Sequence, residues 1–231
     1  MTGLASPSGG LIWHARALRR RDQWRSLLDP LAEWLTTWPV SSDRLLLLGP
    51  SAGWCLPDAF LARFSAIHAV DFDPLAEMFF RWRHRRALSA GVTLTWERTD
   101  FMQQLPALLA RHADCVVLFA NVLGQHRLHC TDAAACESQL ASLRTQLAGR
   151  CWASFHDRLS GDWLDSAALP AGFRVGRRLS TAELGRHTAL GGEWLDHLTT
   201  DVLPPNVERL LLPWRLTAGR MHWVELGHVG R

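Results

Sequence analysis

The sequence predicts an α/β protein: a doubly wound, mostly parallel sheet of seven strands that ends in a C-terminal antiparallel hairpin. Three observations carry that expectation. Short apolar runs alternate with helix-like segments between residues 44 and 157, and each run breaks abruptly into small or polar residues. The last apolar stretch, 206–226, turns back on itself around Thr-Ala-Gly. Strands joined by crossover helices lie parallel with both faces covered, so they read as unbroken apolar runs rather than alternating ones.

The elements follow in order. Residues 1–43 form an N-terminal helical segment ahead of RLLLLG (44–49), a buried strand stopped by Gly-Pro. DAFLARF (58–64) reads as a helix with Pro57 and Asp58 in its first turn, and AIHAVDF (66–72) as the second strand. A helix from 74 to 91 starts at a proline and closes at a glycine. VTLTWER (92–98) is the third strand, followed by a helix over 101–112 that is kinked or begun afresh at Pro106. DCVVLFANVLG (114–124) is the fourth strand, 132–149 a helix, and RCWASFHD (150–157) the fifth strand. Those elements make a core over 44–157. Residues 158–205, rich in Gly and Pro clusters, are expected to form short helices and loops laid over the site as an insertion or lid. Residues 206–231 supply the hairpin that completes the sheet.

Composition limits the function classes. At 231 residues, 48% hydrophobic and 20% charged, the chain suits one domain, or one domain with an insertion. No apolar run reaches the roughly 18–20 residues needed to span a bilayer, so no membrane partner is expected. The N-terminus MTGLASPSGGLIWHARALRRR carries its positive charge after the apolar stretch, the reverse of a signal peptide, and a cytoplasmic protein is expected. Cys55, Cys115, Cys130, Cys136 and Cys151 form no CxxC pair and no Cys/His ladder with zinc spacing, so neither metal nor disulfides are expected. All 25 basic residues are arginine, with clusters at 16–25 and 81–86. These read as solvated helix faces or, alternatively, as a phosphate-binding surface for nucleic acid.

In an open parallel sheet, ligands bind beyond the carboxyl ends of the strands. The residues there are informative. Gly49-Pro50-Ser51-Ala52-Gly53 follows the first strand and lets backbone pass close to a ligand. Asp71, twenty-two positions beyond Gly49, follows the second and can accept from both hydroxyls of a ribose. Asp100 and Phe101 follow the third, an acceptor for an exocyclic amine beside an aromatic wall. Asn121 follows the fourth. Small loop, acid, acid and amide at four successive strand ends point to a ligand containing a nucleoside. A dinucleotide fingerprint is absent, because its glycine positions fall on Gly49, Ser51 and Trp54. A P-loop is absent too, since the chain has no lysine. Gly49-Pro50-Ser51-Ala52-Gly53 does satisfy G-x-S-x-G, leaving a hydrolase elbow as a rival with His222 or His228 as its histidine, although too few strands precede the loop for that fold.

The series LLLLGPSAG, AVDFDP, RTDF and CVVLFANVLGQ resembles the class I S-adenosylmethionine-dependent methyltransferases, over roughly residues 44–157, with the 206–226 hairpin matching the strand pair that ends their Rossmann-like fold. The resemblance implies S-adenosylmethionine as cofactor and S-adenosylhomocysteine as product. It assigns Gly49, Pro50, Ser51 and Gly53 to the loop under the methionine part, Asp71 to the ribose and Asp100 to the adenine amine, with Phe72 and Phe101 flanking the adenine. Asn121 completes the pocket. The chain departs from the family at Leu47, where an acid is usual, and at Ser51, where glycine is usual; the second departure is tolerated if φ stays negative there.

Methyl transfer mainly asks the protein to position the acceptor and, for a protonated acceptor, to supply a base. His126 and His129 after the fourth strand, and His156 after the fifth, are the candidates, with His126 and His156 placed first. No N-P-P-[YFW]-like tetrapeptide follows the fourth strand, which favours a small-molecule acceptor over a nucleic-acid base. Alternatives are an RNA or protein acceptor and a non-catalytic, methyltransferase-like partner subunit.

Overall fold

The computed structural model describes residues 10–163, 168–188 and 192–230, without the side chain of His129. The first nine residues of the N-terminal segment and two short pieces of 158–205 therefore lie outside the described residues. Among the described residues nine strands make one sheet: β1 (Arg44–Leu48), β2 (Ala66–Val70), β3 (Thr93–Glu97), β4 (Val116–Ala120), β5 (Trp152–Asp162), β6 (Phe173–Val175), β7 (Trp194–Asp196), β8 (Arg209–Thr217) and β9 (Arg220–Val229). Their order is β3-β2-β1-β4-β5-β9-β8-β6, with β7 pairing β5 off that path. The pairs among β1 to β5 are parallel, and those made by β6, β7, β8 and β9 are antiparallel. The fold is thus the doubly wound α/β class that the alternation of runs predicts.

The two extra strands come from 158–205, and sheet edges explain them. β4 pairs β5 only over Trp152–Phe155, whereas β5 continues to Asp162, so its far half has an open edge. β7 fills that edge at Leu159–Gly161. β6 pairs Arg209–Leu211 on the outer side of β8 in the same way. Both additions satisfy backbone groups that an edge would leave unpaired.

Helix breaks also follow local chemistry. The stretch read as one helix over 74–91 is two, Ala76–Arg83 and Arg85–Ser89, parted at His84. The buried His84 ring bonds Asp58 through Nδ1 at 2.6 Å and the Gly53 carbonyl through Nε2 at 3.2 Å, which fixes its residue between the helices. Pro106 sits inside a single helix, Phe101–Arg111, where it forgoes one backbone donor without ending the helix.

Period-two alternation sends strand side chains into two apolar layers. Leu45, Leu47, Ile67, Ala69, Val116, Leu118, Ala153 and Phe155 join one, with α2 (Arg25–Thr37) lying over its β8 side. Leu46, Leu48, Val70, Val117, Phe119 and Trp152 join the other, under the helices Phe101–Arg111 and Ala133–Gln146. Leu47 is fully buried in the first layer. The position where the resemblance expects an acid is core here. No helix among the described residues is long and apolar enough to cross a membrane.

Candidate functional site

In the order β2-β1-β4 the winding reverses between β1 and β4, so their carboxyl ends diverge and leave a crevice. A pocket lies there, walled by the loop after β1, by Asp71, Phe72 and Asp73 after β2, by Asn121, Val122 and Gln125 after β4, and by Phe155 on β5. Its remaining wall is Trp13, from the N-terminal helix α1 (Gly10–Arg20).

The loop after β1 is unusual in its backbone. Gly49, Ser51 and Gly53 all have positive φ, at 64°, 50° and 65°. Ser51 thus takes the left-handed conformation, so the negative φ under which serine replaces glycine freely is not met, at a cost of about 1–2 kcal/mol for a residue with a Cβ. Two hydrogen bonds hold it there: its N–H donates to Asp71 Oδ2 at 2.7 Å, and its hydroxyl accepts from Trp13 Nε1 at 3.1 Å. The two glycines are fixed by sterics as well as by φ. A Cβ on Gly49 would lie 2.3 Å from Val122 Cβ, and one on Gly53 would lie 2.4 Å from His84 Nε2.

Asp71 is buried at the end of β2. Oδ2 accepts from Ser51 N and Oδ1 from Asp73 N at 2.9 Å, and each oxygen keeps a second lone pair. Burial pushes its carboxyl up to about 6, against the pull of those two backbone donors. Asp73 behaves differently. Burial raises it too, but donation from His14, Gly10 N and Leu75 N outweighs burial and holds it below the usual carboxylate range. These contacts, Gly10 N at 2.8 Å and His14 Nε2 at 3.3 Å, tie the start of α1 to the pocket rim. Asn121 has φ 58°, is 8% exposed, and its Oδ1 is buried with no hydrogen-bond partner. A buried amide oxygen left unpaired is costly, on the order of 1–3 kcal/mol, unless a ligand or water donates to it.

The structure brings Gly49, Pro50, Ser51, Asp71, Phe72 and Asn121 to one pocket and places Gly53 at the end of the same loop, but it leaves four other candidates elsewhere. Asp100 caps the helix Phe101–Arg111, its Oδ1 accepting from Met102 N and its Oδ2 from Gln103 Nε2. Phe101 packs into the core against Phe119 at 5.9 Å between ring centroids. His126 bonds Gln139 Oε1 at 2.7 Å, outside the pocket wall. His156 projects from the face of β5 opposite Phe155 and is fully buried, its Nδ1 2.8 Å from Ser154 Oγ and its Nε2 3.3 Å from Glu225 Oε2. Burial lowers its imidazole pKa against the raising effect of Glu225. Helix capping claims Asp100, and strand alternation turns His156 away.

The structure also supplies what sequence reasoning missed. Asp157, on the Phe155 face, is 3.0 Å from His222 Nδ1 on β9. Burial raises the Asp157 carboxyl, but His222, His197 and His156 together hold it below the usual range. An ionised Asp157 accepts a hydrogen bond from His222 Nδ1–H, which favours the tautomer with Nε2 as the acceptor nitrogen. The pair stands beside the β4 turn, since a Cβ on Gly124 would come 2.8 Å from Asp157 Cβ. His197 is fully engaged, Nδ1 donating to the Gly124 carbonyl and Nε2 accepting from Ser160 Oγ. No motif announces the Asp157–His222 pair, because its members lie 65 residues apart. Both arginine clusters reach the same loop: Arg21 donates to the Trp54 carbonyl and Arg83 to the Gly53 carbonyl, with Arg83 also over the Trp54 ring at 5.3 Å. The hydrolase elbow has no partner, because the Ser51 hydroxyl bonds Trp13 and the nearby His14 ring faces Trp54 and Asp73.

Fold and pocket define a doubly wound α/β protein with a ligand crevice at its switch point. No protein-family model matches the chain, and no curated protein matches it. Solved structures similar to it include the N-methyltransferase NodS from Bradyrhizobium japonicum in complex with S-adenosylhomocysteine, at 12% identity over 92% of this chain and 86% of that one, with a TM-score of 0.41. An O-methyltransferase family protein from Burkholderia thailandensis is similar at 14% identity over 92% of this chain and 59% of that one, with a TM-score of 0.46. The magnesium protoporphyrin IX methyltransferase ChlM from Synechocystis is similar at 12% identity over 89% of this chain and 84% of that one, also at 0.46.

Proposed function

We propose that the chain is an S-adenosylmethionine-dependent methyltransferase acting on a small-molecule acceptor. One observation carries the reading. Asp71 and Asn121, both more than nine-tenths buried, line the same switch-point pocket with unused hydrogen-bonding capacity. The free lone pairs of Asp71 suit the vicinal hydroxyls of a ribose, and Asn121 Oδ1 suits an ammonium or amine donor. The left-handed loop 49–53 would lie against the amino-acid end of the cofactor, and Phe72, on the rim, against its base. When bound, S-adenosylmethionine supplies an electrophilic methyl group. The chain's own work is to orient the acceptor and take its proton; this reading gives the second task to the Asp157–His222 pair, which stands beside the β4 turn and outside the pocket wall itself.

Titration calorimetry with S-adenosylmethionine and S-adenosylhomocysteine tests the proposal. Both should bind, and Asp71→Ala should weaken both. No heat at millimolar ligand with folded protein would overturn it. A second reading, a non-catalytic partner subunit, is favoured by Trp13 over Ser51 and by Val122 against Gly49, which narrow the pocket. The absence of binding would leave that reading standing.

A further inference from the structure

Beyond the pocket, His126, Cys130 and Cys136 bring their ligand atoms within 4.8 Å of one another. Asp157, His197 and His222 also converge, but both nitrogens of His197 are already bonded to Gly124 and Ser160, which leaves that group short of a ligand. The Cys/His group has a different character. A tetrahedral zinc site with bonds of about 2.0–2.1 Å to nitrogen and 2.3 Å to sulfur has edges of about 3.6 Å from N to S and about 3.8 Å from S to S. His126 Nε2 lies 3.4 Å from Cys130 Sγ, close to that edge. Cys136 is fully buried on the first turn of the helix Ala133–Gln146, whose start is fixed by Asp132 accepting from Ala134 N and Ala135 N. His126 ends the helical turn after β4. His126 and Cys136 therefore stand on two helical elements, and Cys130 lies in the short connection between them.

We propose that His126 Nε2, Cys130 Sγ and Cys136 Sγ bind a thiophilic divalent cation of the zinc class. A water takes the fourth position, and the 2.7 Å hydrogen bond between His126 Nε2 and Gln139 Oε1 opens as the ring nitrogen turns to the ion. Loading releases the two thiol protons to solvent and puts the ring proton of His126 on Nδ1. The two thiolates then balance the dication, and neutral ligands complete the shell. The spacing H-x3-C-x5-C is not a zinc pattern that a scan of the sequence would flag; folding brings the set together. The ion would pin the turn that carries Asn121 and Gln125 to the helix leading into β5.

Cobalt(II) serves as the optical probe, added to reduced protein without air. The expected result is saturation at about one equivalent, with the intense thiolate-to-cobalt band of a tetrahedral sulfur site. Zinc should displace it and release about two protons per ion. The band should vanish in Cys130→Ser and Cys136→Ser and persist in Cys115→Ser. A wild-type spectrum without the thiolate band would overturn the proposal, whether or not the variants fold. So would a band that survives both substitutions, or a mass showing a Cys130–Cys136 disulfide in protein kept under reductant.

Discussion

Asp71 and Glu225 are both carboxylates buried in one sheet, yet their environments drive them in opposite directions. Burial raises both. At Asp71 the two backbone donors, with His14 behind them, do not offset burial, and the carboxyl rises to about 6. At Glu225 burial is overcome by Arg158, His156 and Arg209, and the carboxyl falls to about 2. The contacts explain the difference. Glu225 on β9 takes both oxygens to Arg158 Nη1 at 3.1 Å and Oε1 to Arg209 Nε at 3.0 Å, all three side chains fully buried. Asp71 has no arginine. A buried acid neutralised by two arginines marks structure, whereas a buried acid without a counter-ion at a switch point marks a place for a ligand.

The largest effect should come from breaking the completed network. Glu225→Gln leaves Arg158 and Arg209 buried without a counter-ion, and urea denaturation should show a loss of about 3–5 kcal/mol. A loss below 1 kcal/mol would mean the arginines find other partners. The pH dependence sharpens the contrast, because the two acids carry opposite signs. Glu225, depressed from about 4.3 in the unfolded chain, adds stability above that pH that is lost as pH falls towards 2, worth about 3 kcal/mol. Asp71, raised from about 3.9, favours the fold in its neutral form; that contribution is full below pH 4 and fades as pH rises through 6, again by about 3 kcal/mol. Urea midpoints against pH should therefore lose their slope between 4 and 6 in Asp71→Asn. An unchanged slope would show that Asp71 is solvated in solution.

Asp71→Asn should also separate stability from binding. Stability at pH 7 should hold or rise, while the affinity for S-adenosylhomocysteine falls about tenfold or more with the loss of charged hydrogen bonds. The smallest effect lies at Ser51. Glycine there relieves the positive φ and alanine does not, though both lose the Trp13 hydrogen bond, so Ser51→Gly should be about 1 kcal/mol more stable than Ser51→Ala in thermal melts. Equal stabilities would deny the left-handed conformation.

Much of this was legible in the sequence, for physical reasons that can be named. Unbroken runs such as LLLL and VVLFA must be buried on both faces, so they announce parallel strands, and their abrupt ends mark where Gly49, Asp71 and Asn121 stand. Glycine and proline at those ends restrict the backbone locally, which is why the loop could be found without coordinates. The sequence could not say which way His156 points, since its face depends on a register set by β4 and β9. Nor could it show that Asp100 caps a helix, that Trp13 reaches Ser51, or that His126 meets two cysteines.

What the sequence determined by itself was the alternation of elements, the winding of the sheet and the crevice at its switch point, because periodicity and chain-breaking residues act over a few positions. The tertiary structure alone decided the pairing of Asp157 with His222, of Glu225 with two arginines, and of α1 with the pocket rim. Those contacts join residues tens of positions apart, and their energies exist only once burial has removed water from between them.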